Sequence, residues 1–208
     1  DAALAQFAEH GFKGATIKGI AAAAGVSHGL LQHHFGSKDD LRGACDEYAL
    51  QTFGTLDSFG VTSGEITNPD FLGELSGRSL LILRYIARAM VEGSPAASAF
   101  YENGASLTER FLSQNWPERF PEGSDRVRDA ASVMAAMHLS TIVLHEHLSR
   151  RMGSDVLATE GASRLALGIL DVYTSMGEFT ASGMGQGIRD AVVKQQESHP
   201  TTNGGDDA

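Results

Sequence analysis

Polar side chains in one short stretch suit hydrogen bonding to the edges of nucleic-acid bases. His28, Gln32 and His33 carry donors and acceptors, and Gly29 would let another backbone approach closely. A glutamine amide can pair with N6 and N7 of adenine in the major groove. The alternative is an ordinary solvated helix face, where His and Gln are common. The stretch predicts base or phosphate contacts from these four residues.

Three further residues are candidates for holding a phosphate backbone. Thr16 and Ser27 each precede a helical stretch, and a capping hydroxyl leaves helix amides pointing outward, where a phosphate is favoured. Lys38 adds a positive charge at the start of a later helix. Ordinary capping is the competing interpretation for Thr16 and Ser27.

The elements that must position these residues lie in the sequence TIKGIAAAAGVSHGLLQHHFGSK, residues 16–38. It predicts a helix over 17–24, a tight turn and a second helix over 28–34. Ala21 is small enough for the two backbones to approach, and Gly25 readily takes a positive φ in the turn. We expect Val26 and Leu31 to fill the wedge between the helices and Phe35 to join the core. This pattern is a helix-turn-helix and predicts DNA binding.

A fourth helix is expected to begin at Ser37, because Ser37 and Asp40 have the spacing of a capping box. The longer stretch from Phe7 to Leu41, FAEHGFKGATIKGIAAAAGVSHGLLQHHFGSKDDL, resembles the TetR family of bacterial transcriptional regulators. The resemblance lies in the GF–T spacing, the IA–AGVS turn and the HFxSK–L exit. It implies an amino-terminal DNA-binding head, a divergent carboxyl-terminal ligand-binding domain, and a homodimer formed by two long carboxyl-terminal helices.

One residue departs from the family pattern. The family usually has a tyrosine before the His or aromatic pair of its recognition helix, and this chain has Gln32 there. The usual tyrosine–phosphate contact is therefore not expected, and an adenine contact is available instead.

Helical periodicity runs through almost the whole chain and predicts an all-α fold. We expect a three-helix head over 1–37, a larger helical regulatory and dimerisation domain over 38–195, and a disordered tail over 196–208. Long helices are predicted at about 125–152 and 162–178, and the glycine-rich segment 183–187 is predicted to be irregular. Both long helices look apolar around much of their circumference, which is typical of helices that are either central in the fold or shared with a second subunit.

Charge does not favour DNA binding. The chain carries a formal charge of −10, and residues 1–50 hold four Lys/Arg against six Asp/Glu. Because Asp1 to Leu4 resembles a helix interior, we expect a basic segment upstream of Asp1. The single cysteine, Cys45, is expected to be a buried core residue. With no secretory signal and no membrane span apparent, the sequence favours a cytoplasmic location and no membrane partner.

The carboxyl-terminal part offers side chains for an adaptable pocket that would take a mostly apolar effector, with core packing as the alternative for each. These candidates are Phe71, Tyr85, Met90, Phe100, Tyr101, Phe111, Trp116, Met134, Met137, His138 and Thr141. No metal site is expected, because His138 and His145 are two helical turns apart and His147 points away from His145. No cofactor is expected either.

Two functions are compatible with this sequence. The first is a homodimeric repressor that a small molecule releases from a palindromic operator. The second is a DNA-binding regulator or architectural protein that a protein partner controls, without a small-molecule pocket. An enzyme is not expected, because the sequence has no P-loop and no GxSxG, and the glycines at 183, 185 and 187 lack the spacing of a dinucleotide loop.

Overall fold

A computed structural model describes the backbone of residues 1–55 and 68–198, and the side chains of residues 1–52, 68 and 80–198. The described residues contain no strand and form ten helices, which confirms the all-α prediction for this part of the chain. They are α1 (Ala2–Gly14), α2 (Ile17–Ala24), α3 (His28–Phe35), α4 (Lys38–Thr55), α5 (Pro69–Val91), α6 (Pro95–Asn115), α7 (Asp125–Val143), α8 (His145–Met152), α9 (Thr159–Ala181) and α10 (Gly183–Ser198).

The chain divides into two compact units, residues 1–162 and residues 163–208. In the first unit, α1 packs against α5, and one apolar cluster joins the amino-terminal helices to α4, α5 and α6. Burying such side chains contributes roughly 1.5–3 kcal/mol each. The buried members of this cluster are Ala3, Leu4, Phe7, Ala15, Ile20, Ala21, Leu31, Leu41, Cys45, Ala49, Ile82, Tyr85, Ile86, Ala89, Ala96 and Phe100.

A second cluster lies between α6 and α7. Leu112, Val127 and Ala131 are its buried members, and Phe111, Phe120, Ala130 and Met134 pack around them. On α7 the buried residues recur every four positions, at Val127, Ala131, Ala135 and Leu139. One face of α7 therefore faces its own chain, and Val133 and Met137 on other faces are exposed.

The predicted single helix over 125–152 is wrong. The chain bends by 67° between α7 and α8, at Leu144. After α8, the Ser149 hydroxyl accepts a hydrogen bond from the N–H of Val156, and the side chains of Val156 and Leu157 are buried. The bend allows this segment to pack, which a straight helix would not.

Two predictions about the carboxyl-terminal end are also wrong. Residues 183–187 are not irregular but form the first turns of α10, where the Ser182 hydroxyl caps the helix by accepting a hydrogen bond from the N–H of Gly185 at 3.2 Å. The helix continues through Ser198, so residues 196–198 of the predicted tail are helical. Residues 199–208 lie outside the described part of the chain.

Val26 and Phe35 do not occupy the core positions predicted for them. Leu31 is the one residue of α3 that is buried, as predicted, whereas Val26 is exposed and Phe35 is 40 % exposed. Phe35 lies at the end of α3, where it lines a cleft of about 260 Å³ together with Leu31 and Tyr48. Cys45 also lines this cleft and is buried, as predicted. Burial raises the pKa of its thiol to about 11.

No single helix within the described ranges is both long enough and apolar enough to cross a bilayer. Only α7 and α8 taken together, across their bend, reach that length and composition.

Candidate nucleic-acid interface

Two capped helix starts frame the candidate interface. The Thr16 hydroxyl accepts a hydrogen bond from the N–H of Gly19 at 3.0 Å, and the Ser27 hydroxyl accepts one from the N–H of Leu30 at 3.1 Å. Both caps are therefore formed as the sequence predicts, and both side chains are exposed. The positive ends of α2 and α3 are accessible to an anion such as a phosphate.

The turn between α2 and α3 is held by backbone hydrogen bonds. Gly25 has a φ of 69°, which an L side chain adopts only with strain. Its N–H donates to the carbonyl of Ala22, and the N–H of Val26 donates to the carbonyl of Ala21. These two bonds form a Schellman motif, which fixes the direction in which α3 leaves the turn.

The predicted recognition residues share the solvent side of α3. His28, Gly29, Gln32 and His33 are all exposed, and Leu31 anchors the helix from the opposite side. A Cβ atom placed on Gly29 would meet no protein atom within 4 Å, so the protein's own packing does not require glycine at this position. The geometry therefore brings all four candidates to one accessible face. Their contacts with bases or phosphates stay predictions.

Lys38 begins α4, directly after Ser37, which forms an exposed capping box with Asp40. The Ser37 hydroxyl and the N–H of Ser37 both donate to Asp40 Oδ2, at 2.6 and 3.0 Å, and the N–H of Asp40 donates back to the Ser37 hydroxyl at 3.1 Å. The capping box is confirmed. The hydroxyl and then the backbone hydrogen bond from Ser37 lower the pKa of Asp40, so the helix start carries a stable negative charge beside Lys38.

Two residues near Lys38 were missed in the sequence. Lys38 Nζ lies 4.5 Å from the centroid of the Phe12 ring, and Arg42 Cζ lies 4.6 Å from it. Both cations therefore contact the Phe12 ring. The i, i+4 spacing of Lys38 and Arg42 could have indicated that they share one side of α4.

The predicted pocket residues are divided between different parts of the first unit. Tyr85 and Phe100 belong to the large cluster, and Met90 packs against it. Phe111 and Met134 pack in the second cluster, and the exposed Trp116 contacts the Phe111 ring edge-on at 5.7 Å. The structure brings these two sets to separate clusters.

Other pocket candidates make local hydrogen bonds. The Tyr101 hydroxyl donates to the carbonyl of Ser132 at 3.0 Å, and the Thr141 hydroxyl donates to the carbonyl of His138 at 2.6 Å. Burial lowers the pKa of His138, which favours its neutral form. Met137 is exposed. The side chain of Phe71 lies outside the described residues.

The carboxyl-terminal histidines have separate partners. His145 Nδ1 lies 2.9 Å from the carbonyl oxygen of Ile142, and His147 Nδ1 lies 3.0 Å from Arg150 Nη2. Among the residues that the structure describes, no three His, Cys, Asp or Glu side chains are grouped so as to hold a metal ion.

Comparison with known proteins adds to this geometry. Residues 1–45 match the sequence model of the bacterial regulatory proteins of the tetR family. This similarity covers the amino-terminal head of the chain. The match covers α1, α2, α3 and the start of α4, which are the elements that position every candidate in the head.

Relatives extend the similarity to transcriptional regulators over most of the chain. The HTH-type transcriptional regulatory protein RaaS of Mycobacterium tuberculosis is 29 % identical over 84 % of this chain and 82 % of its own length. The HTH-type transcriptional repressor Rv3405c of the same species is 28 % identical over 95 % and 87 %. The repressor AcnR of Corynebacterium glutamicum is 51 % identical, over 17 % of this chain and 19 % of its own. A DNA-binding transcriptional regulator, and not an enzyme, is the function these similarities support.

Proposed function

We propose that this chain is a homodimeric repressor that reads a palindromic operator and that a small, mostly apolar effector releases. The observation that carries the DNA-binding part is the shared exposed face of α3, which presents His28, Gly29, Gln32 and His33 next to the capped starts of α2 and α3. In this proposal the side chains on α3 contact base edges in the major groove. Thr16, Ser27 and Lys38 contact phosphates on either side.

The proposed domain boundary lies between Ser37 and Lys38, where α4 begins. Residues 1–37 would form the DNA-binding head and residues 38–195 the regulatory and dimerisation domain. The large apolar cluster contains residues from both sides of this boundary, including Ile20 and Leu31 on one side and Ile86 and Phe100 on the other. A change in the packing of α5 or α6 therefore reaches the head directly.

Exposed apolar side chains on the second unit support the homodimer. On α9 they recur at helical spacing, and on α10 they occupy every fourth position from Met184, which is 70 % exposed. Apolar side chains in such number are typical of a helix face that a second protein covers. They are Leu167, Leu170, Val172, Met176 and Phe179 on α9, and Met184, Ile188, Val192 and Val193 on α10.

A two-fold dimer would place two copies of α3 in successive major grooves, about 34 Å apart. Effector binding would favour a spacing of the heads that no longer matches the operator. Because binding free energies are linked, effector and operator would weaken each other by the same factor, typically about 5- to 150-fold.

The second candidate is control by a protein partner. It is favoured by the position of Tyr85 and Phe100, which are buried in the large cluster and therefore serve the core. In that case the carboxyl-terminal region would respond to a partner that binds its surface.

Selection of duplexes from sheared genomic DNA tests the DNA-binding proposal. We expect the purified chain to enrich fragments that share an inverted repeat with half-sites about one helical turn apart. A protein that is folded by circular dichroism but enriches no fragment at low salt would contradict it.

Sedimentation of charged variants tests the homodimer. Leu170→Glu and Met184→Glu should convert the dimer to a monomer, because each places a charge in the proposed apolar interface. Val91→Glu, at an exposed apolar position at the end of α5, is the matched control and should leave the dimer intact. A monomeric wild-type chain at micromolar concentration would disprove the interface.

Titration of the complex with the selected duplex tests effector control. We expect at least one member of a panel of apolar and aromatic compounds to lower the affinity by about fivefold or more. If none does and a protein from the same cell lysate lowers the affinity, the second candidate is favoured over release by an effector.

A further inference from the structure

A kink in α1 creates an unusual contact with the end of α5. Gly11 has φ 69° and ψ 172°, outside the helical region, within an otherwise helical segment. The N–H of Phe12, the next residue, donates a hydrogen bond to Glu92 Oε2 at 3.0 Å. The two residues are 80 positions apart in the chain, so this bond joins the amino-terminal helices to the carboxyl end of α5.

The position of Glu92 is unfavourable for α5 alone. A carboxylate just beyond the carboxyl end of a helix faces the negative end of the helix dipole, which costs about 0.3–1 kcal/mol. Arg88 Nε offsets this by donating to Glu92 Oε1 at 3.0 Å, and the Phe12 N–H occupies the other carboxylate oxygen. The stability of α5 therefore does not explain why a glutamate stands at position 92, whereas the hydrogen bond to Phe12 does.

The contact also leaves no room for a side chain at Gly11. A Cβ atom there would overlap Glu92 Oε1 and the guanidinium of Arg88. The positive φ favours glycine at the kink, and a larger residue would also displace the ends of these two side chains. The carboxylate of Glu92 is thus seated directly against the α1 backbone.

Glu92 contacts the backbone of Phe12, and the aromatic ring of the same residue contacts α4. Lys38 and Arg42 of α4 both contact this ring, and its centroid lies 5.9 Å from that of Phe7. Phe12, Arg42, Arg88 and Glu92 line a partly open space of only about 10 Å³, the size of a single water. The Phe12 ring is therefore packed closely by the side chains around it.

We infer that Glu92 is a positioning residue for DNA binding. It holds the Phe12 backbone through one hydrogen bond, and the Phe12 ring in turn holds Lys38 at the start of α4, where the proposed function places a phosphate contact. This inference rests on that proposed function. It adds a residue just beyond the end of α5, far from the recognition helix in sequence, to those that set the affinity for DNA.

Two conservative variants separate the effect of side-chain length at position 92 from the effect of its negative charge. Glu92→Gln keeps an oxygen that can accept from the Phe12 N–H but loses the negative charge. Glu92→Asp keeps the charge, but its side chain is one methylene too short to reach. We expect E92Q to bind the duplex selected by the wild-type chain within about twofold, and E92D to bind it about three- to tenfold more weakly, the effect of one weakened phosphate contact.

Glu102 supplies the matched control, because it is an exposed glutamate on α6. The variants E102Q and E102D should bind the duplex like the wild-type chain. If E92Q loses affinity and E92D keeps it, charge is what matters and the inference is wrong. Equal affinity of E92D and the wild-type chain also overturns it.

A double-variant cycle with Lys38→Ala distinguishes positioning from a general loss of structure. In the K38A background E92D should cause little further loss of affinity, and K38A and E92D should each lower the slope of log affinity against log salt concentration. Losses that multiply would show that Glu92 acts independently of Lys38 and would overturn the inference. If the wild-type chain selects no duplex, the proposed function is wrong. If the wild-type chain binds and the E92D variant binds equally well, only the inference about Glu92 is wrong.

Discussion

The hydroxyl of Tyr85 donates a hydrogen bond to Asp46 Oδ1 over 2.5 Å, and both side chains are buried. The bond joins α5 to α4 beside the contact between Glu92 and Phe12. Burial and the adjacent carboxylate raise the pKa of Tyr85 above its usual value, so the phenol keeps its proton and remains a donor. Arg42 Nε lies 4.0 Å from Asp46 Oδ2. Tyr85 is therefore a structural residue of this junction.

Replacement of Tyr85 by phenylalanine should destabilise the protein. Tyr85→Phe removes the hydrogen-bond donor of a buried carboxylate, which costs about 1–3 kcal/mol in the free energy of unfolding. Urea unfolding followed by circular dichroism measures it. Tyr48→Phe, which alters an exposed hydroxyl, is the control and should change stability little. Equal effects of the two variants would contradict the assigned role of Tyr85.

Gln32→Ala should relax the sequence preference of DNA binding. If the Gln32 amide pairs with an adenine, its loss costs about 1–3 kcal/mol of binding free energy and affects one base pair of each half-site. Binding to a set of duplexes with single substitutions measures this. Unchanged discrimination at every position would show that Gln32 does not read a base.

Lys38→Ala should weaken binding to all duplexes by a similar factor, because a phosphate contact carries no sequence information. The slope of log affinity against log salt concentration should fall by about one. The measurement is a series of affinities between low and moderate salt for the selected duplex and for a scrambled one. A loss confined to the selected duplex would be inconsistent with a phosphate contact.

Stability should depend on pH through Asp155. Burial by itself would raise the pKa of this carboxyl, but the hydrogen bond from the N–H of Leu157 and the guanidinium of Arg84, at 2.6 Å, outweigh burial and lower it below its ordinary value of 3.8. A carboxyl whose pKa is lowered by folding stabilises the protein above its unfolded-state pKa. That contribution disappears as the pH falls through the folded-state pKa.

Asp155→Asn tests this directly. The variant should unfold at a lower urea concentration than the wild-type chain at neutral pH, and the difference should shrink below about pH 4. Asp129→Asn, at an exposed position on α7, is the control. A difference that stays constant from pH 7 to pH 3 would rule out the proposed contribution of the Asp155 carboxylate.

Gly161→Ala should destabilise the start of α9. A Cβ atom at this position would overlap the carbonyl oxygen of Asp155, which is backbone and cannot rotate away. Such overpacking costs about 1–3 kcal/mol. Gly43→Ala, where no atom lies within 4 Å of the added Cβ, should instead stabilise α4 by about 0.5–1 kcal/mol. Urea unfolding of both variants should show changes of opposite sign in the free energy of unfolding.

The helix starts and the turn of the head could be predicted from neighbouring residues alone. Thr16, Ser27 and Ser37 cap helices through hydrogen bonds that span three residues, and Gly25 takes the left-handed conformation predicted for it. Such features depend only on neighbouring residues, so side-chain type and spacing suffice to predict them. The family match of residues 1–45 rests on the same local pattern.

Which residues meet across long stretches of chain depends on how the helices pack, and it could not be predicted from local patterns. The exposure of Phe35 and the bend at Leu144 depend on what packs against each helix, and periodicity within one helix carries no information about its neighbour. The contact of Glu92 with Phe12 is the clearest case. Neither residue has a local signal for it, because the hydrogen bond exists only when the end of α5 is folded against the kink at Gly11.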